Sequence, residues 1–545
     1  MSKIAHYLQE HLVGEVVTSV EARRHFSTDA SIFAVPPAIV VYPRNEGDVR
    51  KTARFAWQLA ERGRIVPITA RGSGTDQSGA AIGAGIVLVF PAHLNRIVEF
   101  DGKSGVVTVE PGINYGKLQQ TLHTHDRFLP PYPSSLEYST IGGAVANNAG
   151  GTKSVKYGDT RKFVKGLRVV LANGEVIETG RLSKRELNKK LGLSTFEGEI
   201  YRGLDSLLEE KADLIEKFER RVTKNTAGYN VLDIKHGDGS FDLTPLFVGS
   251  QGTLGILTEI MLETEQHNPE TTLLVASFDD MRKAVQAVRD LREMHEVPSS
   301  MEMIDGGVLS LVEAINPNLL KGTFEKPYPK AVLFVEFDDA KEHVRKKNAK
   351  KAEKIFDKLA TDTKVETELE RQEQLWKIRE SVASLLAYHE GTQKAVPVID
   401  DGIVPLDKME EYFKRVYDLF TQVRVQPAIW GHVGDGNFHM QPHLSLSEIG
   451  DRQKVFRLMD SYYRLLIELE GSTSGEMGDG RVRGPYLAQL YGADCYEFLQ
   501  KVKQIFDPYN TLNPGVKINV TLDDVKPLMR SDYSIAHIAS HLPRS

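Results

Sequence analysis

Three glycine-rich segments in the first half of the chain constrain its fold more than any other feature. Arg71-Gly72-Ser73-Gly74-Thr75-Asp76-Gln77-Ser78-Gly79 follows a predicted strand at Ile65-Val66-Pro67-Ile68. Thr140-Ile141-Gly142-Gly143-Ala144-Val145-Ala146-Asn147-Asn148-Ala149-Gly150-Gly151 and Gly249-Ser250-Gln251-Gly252-Thr253-Leu254-Gly255-Ile256 are the other two. Glycines let a backbone approach a ligand closely, and successive N–H groups with hydroxyls make an anion nest. So many small residues predict backbone laid against a flat or extended ligand. The first segment has neither the G-x-G-x-x-G spacing nor the Gly-Lys-Ser/Thr of a Walker loop.

With 545 residues the chain is long enough for two or three domains with real cores. A net charge of -6 gives no reason to expect nucleic acid as a partner. The basic stretch Arg345 to Lys351 reads as a solvated helix face. The single cysteine, Cys495, excludes an internal disulfide and an iron–sulfur cluster held by the chain's own thiols, and its surroundings predict a buried structural role. The N-terminus lacks the continuous apolar core of a secretory signal, and no apolar run reaches the roughly 20 residues of a membrane helix. The expected location is the cytoplasm, with peripheral contact at the inner face of the membrane as a further option; the segment after Val520 could serve as a tether.

The first third alternates strands, at Ala38–Tyr42, Ile86–Phe90 and Gly105–Val109, with a helix opened by Asn45 as N-cap. Asn173-Gly174 predicts a hairpin between Leu167–Leu171 and Val176–Thr179. The main boundary is placed at Thr264–Pro269. Beyond it, Thr272–Phe278 and Ala331–Phe337 both end in Phe-Asp-Asp and both lead into helices. This predicts an antiparallel sheet with helices on one face. Further helices are expected at Glu370–Tyr388, Asp407–Gln422 and Ser447–Glu470, then a turn-rich strap from Phe506 to Gly515. The predicted divisions are residues 1–266, 267–484, 485–519 and 520–545, in an α+β fold.

Two distant segments look like halves of one site. Gly431-His432-Val433-Gly434-Asp435-Gly436-Asn437-Phe438-His439 reads as a hairpin turned at Asp435-Gly436. In that register His432 faces His439, with Cβ atoms about 4.5–5.5 Å apart. Both imidazoles could then reach one ion at about 2.0–2.1 Å. The alternative is a pair of histidines across an exposed hairpin. Glu476, in the glycine-rich loop Gly471–Gly480, would complete a set of two imidazoles and a carboxylate suited to a divalent metal.

Together these segments resemble the flavin-binding domain of the vanillyl-alcohol-oxidase-type (PCMH-type) FAD flavoproteins. More narrowly, the chain resembles the D-lactate, glycolate and D-2-hydroxyglutarate dehydrogenase branch, from Ser27 to Lys517. The resemblance implies two α/β subdomains for FAD, a substrate and metal-binding cap domain, and a C-terminal strap returning to the flavin. It implies that Arg71, Gly72, Ser73, Gly74, Thr75 and Asp76 cradle the pyrophosphate. Pro133, Ser134, Ser135, Gly142, Gly143, Asn147, Gly150 and Gly151 would line the flavin and adenosine portions. Gly252 and Ile256 would approach the adenine and Asn513 the isoalloxazine. No histidine occupies the Arg71–Gly79 loop, so FAD is expected to be non-covalent, with His123 and His125 the alternative attachment points. His432, His439 and Glu476 would bind a zinc- or manganese-like ion. Arg379, with Lys394, would hold the substrate carboxylate.

Relatives read Gly-Glu-His-Gly where this chain reads Gly475-Glu476-Met477-Gly478. That histidine is the family's general base, and a thioether cannot accept a proton at neutral pH. Gln441 stands where asparagine is common. Three accounts follow: the metal alone acidifies the hydroxyl; another base acts, such as His432 or His439 where no metal is bound; or turnover is weak or lost. The expected activity is FAD-dependent oxidation of a D-2-hydroxy acid to the 2-oxo acid. Electrons would leave to an external quinone, cytochrome or separate iron–sulfur protein. The alternatives are an FAD-binding electron-transfer subunit and a non-redox flavoenzyme like the ether-lipid synthases. A homodimer is a further option.

Overall fold

The computed structural model describes residues 2–388, 393–426 and 428–535. Among the described residues, the first sheet runs Glu15–Val17, Ile39–Tyr42, Ile86–Val89, Ile68–Arg71, with the last three parallel. Helix Glu46–Ala60 covers it, with the Asn45 side chain accepting from Asp48 N–H as its cap. The expected strand at 65–68 starts instead at Ile68. Pro67 has no N–H for a ladder, and its carbonyl accepts from Ile86 N–H just outside the strand.

A second, antiparallel sheet follows in the order Ile97–Asp101, Val106–Val109, Ile256–Glu263, Val164–Val170, Val176–Glu178. The Asn173-Gly174 turn closes its last hairpin, with Gly174 at φ +84°. The second of the two expected subdomains is therefore built on antiparallel pairing. The second glycine-rich segment folds as a short helix, Ile141–Asn147, capped by Thr140, where the sequence suggested only close-packed backbone.

The third sheet has seven strands: Asp362–Glu366, Thr272–Phe278, Ala331–Phe337, Ser300–Asp305, Ile429–His432, Asn437–Met440 and Gly402–Ile403. All its pairings are antiparallel. The two duplicated strands are antiparallel neighbours in the antiparallel sheet that their shared motif suggested. Helices cover both faces, however, not one. Helices Met281–Arg292, Glu342–Leu359, Met409–Val423 and Ile449–Glu468 pack on the face bearing Leu274, Ala276, Leu333 and Val335. Helices Gly306–Ile315 and Leu369–Tyr388 pack on the face bearing Leu273, Val275, Val332 and Phe334. The apolar runs Leu273–Ala276 and Ala331–Val335 signal a sheet buried on two sides, whereas a one-sided sheet would alternate.

The strap lies where predicted. Ile68 N–H donates to Thr511 O at 2.7 Å and Asn513 N–H to Ile68 O at 2.8 Å, adding it to the edge of the first sheet. Cys495 is buried on helix Ala493–Phe506. In the basic stretch, Lys346, Lys347, Lys350 and Lys351 are exposed, but Arg345 is buried and reaches Glu270 at 2.8 Å. No described helix is long and apolar enough to cross a membrane.

Candidate active site

A cavity of about 550 Å³ opens where the first two sheets meet the third. Arg71, Gly72, Ser73, Gly74, Thr75 and Asp76 line it from the loop after the first sheet. Pro133, Ser134, Ser135, Gly142, Gly143, Asn147, Gly150 and Gly252 line it from the second. Its size and its floor of backbone and small polar side chains fit an extended dinucleotide. Gly74 takes φ +80°, a conformation that favours glycine, and a Cβ there would lie 2.2 Å from Arg71 Nη2 and displace that guanidinium. Burial pulls the Arg71 guanidinium pKa down, and Asp29 and Asp76 offset part of that.

Three expected lining residues are not in the wall. Gly255 and Leu257 line the cavity, so strand alternation turns Ile256 into the core behind it. Gly151 shapes the loop: a Cβ there would lie 2.0 Å from the Tyr132 carbonyl oxygen. Asn513 spends its amide on the scaffold. It donates to Ala80 O and Gln251 O and accepts from Thr69 Oγ1, bracing two cavity residues from behind. His123, stacked on His267, and His125, against Phe100, are not among the lining residues.

The metal-suited set converges on the opposite wall. The hairpin register differs from the expected one: His432 pairs with Asn437, and Trp430 with His439. A four-residue loop, Val433–Gly436, replaces the two-residue turn, with Gly436 at φ +72°. The shift is by two positions, so parity survives and both imidazoles keep one face of the ribbon. They sit diagonally, ring centroids 5.2 Å apart. Glu476 Oε1 lies 2.8 Å from His432 Nε2 and 3.3 Å from His439 Nε2. One ligand atom from each residue falls within 4.8 Å of the others.

Carboxylates absent from the sequence argument orient both rings. His432 Nδ1 donates to Glu302 Oε1 and His439 Nδ1 to Asp400 Oδ1, each at 2.7 Å. This leaves both Nε2 atoms aimed at the same point, the arrangement of a histidine metal site. Burial disfavours charge on these rings, yet the carboxylates outweigh it. The His432 pKa is raised, and that of His439 is pushed up to about 10 by Asp400 and Glu476. The cluster thus demands positive charge. Glu302, Asp400, Asp435 and Glu476 set four carboxylates against two cations, Lys224 and Arg379. A divalent ion balances the remainder while both imidazoles stay neutral, so the donor set fits such an ion.

Arg379, buried on helix Leu369–Tyr388, lines the cavity beside Glu380. It donates from Nη2 to Glu302 Oε2 at 2.6 Å, and its buried Nε has no hydrogen-bond partner among the described residues. Lys394 is half-buried in a short strand paired with His443–Leu444 and is not among the lining residues. Met477 lines the cavity next to Glu476, and Gln441 donates to Asp400 Oδ2. Asp401 holds the glutamate loop, accepting from the N–H groups of Glu476 and Met477 and from Ser474 Oγ. A glutamate inside the apolar run Ser300–Asp305 was a signal for Glu302; nothing in the sequence marked Lys224.

Comparison with known proteins agrees with this architecture. Residues 37–180 match the FAD binding domain family, and residues 267–516 match FAD linked oxidases, C-terminal domain. The chain is 30% identical to glycolate oxidase subunit GlcD of Bacillus subtilis, covering 88% of each. It is 28% identical to D-lactate dehydrogenase of Archaeoglobus fulgidus, over 88% of this chain and 90% of that one. It is 30% identical to D-2-hydroxyglutarate dehydrogenase of Escherichia coli over 93% of its own length, but spans only half of that relative. Among solved structures, 4-ethylphenol oxidase from Gulosibacter chungangensis shares the fold with a TM-score of 0.70 at 14% identity, covering 96% of this chain and 98% of that one. In its sequence, its layered fold and the cavity between its sheets, the chain belongs to the FAD-linked oxidases and is an FAD-dependent oxidoreductase.

Proposed function

We propose that the chain oxidises a D-2-hydroxy acid of the lactate, glycolate or 2-hydroxyglutarate type to its 2-oxo acid. The observation that carries this reading is convergence: His432, His439, Glu476 and Arg379 share one wall of the cavity whose other walls are the glycine-rich loops. When bound, FAD accepts the hydride and a zinc- or manganese-like ion draws electron density from the substrate hydroxyl. Arg379 orients the substrate through its carboxylate, a planar guanidinium offering parallel donors. Lys394 contributes a second positive charge from outside the wall. Asp400 and Glu302 hold the two histidines in the tautomer that presents Nε2. Met477 supplies no base, so a cavity carboxylate or water takes the hydroxyl proton. FAD is held non-covalently by Arg71–Asp76 and the 133–150 wall, and electrons leave to an external quinone, cytochrome or iron–sulfur protein.

The test is anaerobic addition of D-lactate, glycolate or D-2-hydroxyglutarate to the yellow holoprotein, with metal analysis alongside. Bleaching of the flavin band by a D-acid and not its L-enantiomer is the expected result. Persistent colour with every acid would favour the second reading, an electron-transfer subunit, which Met477 in the cavity wall specifically recommends.

A further inference from the structure

Lys224 is buried, with 5% of its side chain exposed, and its ammonium group addresses three acceptors. Nζ lies 2.5 Å from Glu476 Oε2, 3.3 Å from Ser154 Oγ and 3.8 Å from Asp435 Oδ2. Glu476 is therefore a divided carboxylate. Oε1 faces the two imidazole Nε2 atoms, while Oε2 is committed to Lys224.

The flavin-side loop is cut to fit this pair. A Cβ on Gly150 would lie 2.3 Å from Glu476 Oε2 and 2.9 Å from Lys224 Nζ. The Gly150 backbone is not in the left-handed region, so the demand at this position is for space alone. A wall residue of the FAD-binding domain thus makes room for the lysine that holds the cap domain's glutamate.

We propose that Lys224 is a positioning residue that restricts Glu476 to coordination through one oxygen. The proposal rests on the metal-assisted reading above. A carboxylate can bind a dication through one oxygen or chelate it with both, and a Glu476 free of Lys224 would have both oxygens available. The second oxygen would then take a position that the substrate needs. With Oε2 held by an ammonium, Glu476 would offer an ion only Oε1, which would leave that position for the substrate. The same contact draws charge from Glu476, so an ion held there would be the stronger Lewis acid toward a substrate hydroxyl. This compensates in part for the thioether at Met477.

The experiment uses the FAD-loaded protein with Co²⁺ as the metal, read through its visible d–d bands to the red of the flavin. Low coordination gives intense bands, and added ligands weaken them. Oxalate serves as a non-oxidisable chelating probe. The wild type should show intense bands that change on oxalate addition. Lys224→Met should retain cobalt, lose band intensity severalfold and lose most of the oxalate response; Lys224→Arg should stay close to wild type. Gly150→Ala wedges the pair apart without removing the charge, and should shift the spectrum in the same direction as Lys224→Met. Wild-type intensity and oxalate response in both Lys224→Met and Gly150→Ala would overturn the proposal while leaving the metal reading intact. A wild type that takes up no cobalt would overturn both.

Discussion

Arg379 Nη2 lies 2.6 Å from Glu302 Oε2, and the other oxygen of the same carboxylate holds His432 Nδ1 at 2.7 Å. One buried glutamate thus fixes both the proposed substrate clamp and one proposed metal ligand. Arg379→Met should raise KM for the acid by about thirtyfold or more, since truncating one partner of a buried, hydrogen-bonded charge pair costs about 2–5 kcal/mol. It should also destabilise the fold by about 3–5 kcal/mol by stranding Glu302. Steady-state kinetics and denaturant unfolding check the two effects separately.

Asp400→Asn should weaken metal binding by about 10–100-fold, the usual cost of altering the partner that orients a ligating histidine. Its amide oxygen still accepts from His439 Nδ1, so the ring stays placed while the charge is lost. Competition with a chelator measures the change. An unaltered metal affinity would argue against His439 as a ligand.

Met477→His should raise kcat by at least about tenfold, because a positioned base contributes roughly 10²–10⁴-fold. The backbone N–H of residue 477 already donates to Asp401 at 2.8 Å, so the main chain is held whatever the side chain. A kcat profile that stays flat and unraised across neutral pH would mean that proton removal does not limit turnover.

Asp305 gives a pH dependence independent of catalysis. Burial raises its pKa to about 6 from 3.8, despite bonds from Val308 N–H and the Tyr417 hydroxyl. The folded state binds this proton more tightly than the unfolded chain. Its contribution is therefore most favourable below pH 4 and is lost as pH rises through 6. Asp305→Asn keeps the helix cap without the charge. It should add roughly 2–3 kcal/mol of stability at pH 8 relative to wild type and nearly nothing at pH 4, read from unfolding at both pH values.

The C-terminal segment reaches back to the cavity beyond the end of the matched family region at residue 516. Arg530 N–H donates to Ile32 O, the Tyr533 hydroxyl donates to Ala30 O at 2.8 Å, and Ile535 lines the cavity beside Ala30. Truncation after Arg530 should increase iodide quenching of the bound flavin's fluorescence. Equal quenching in both proteins would show that this segment does not shield the flavin.

The local chemistry of the site was legible in the chain alone. Glycine runs forecast backbone packed against a ligand, and most of their residues line the cavity. His432, His439 and Glu476 were recognisable because imidazole and carboxylate among glycines have few structural uses. Their meeting survived a wrong register because side chains in a strand repeat every two residues. The third sheet's burial on two faces was written in the apolar runs Leu273–Ala276 and Ala331–Val335, though it was misread as one-sided.

What the tertiary structure alone decided is who holds these groups. Glu302, Asp400 and Lys224 lie 130, 39 and 252 positions from the residues they orient. No local pattern encodes such pairs, because a buried charge takes its role from the partner that folding brings to it. The same holds for Ile256 and Asn513, which sit in the right segments yet face away from the cavity. Side-chain direction there is set by strand phase and by competing backbone acceptors, which exist only once the sheets have packed.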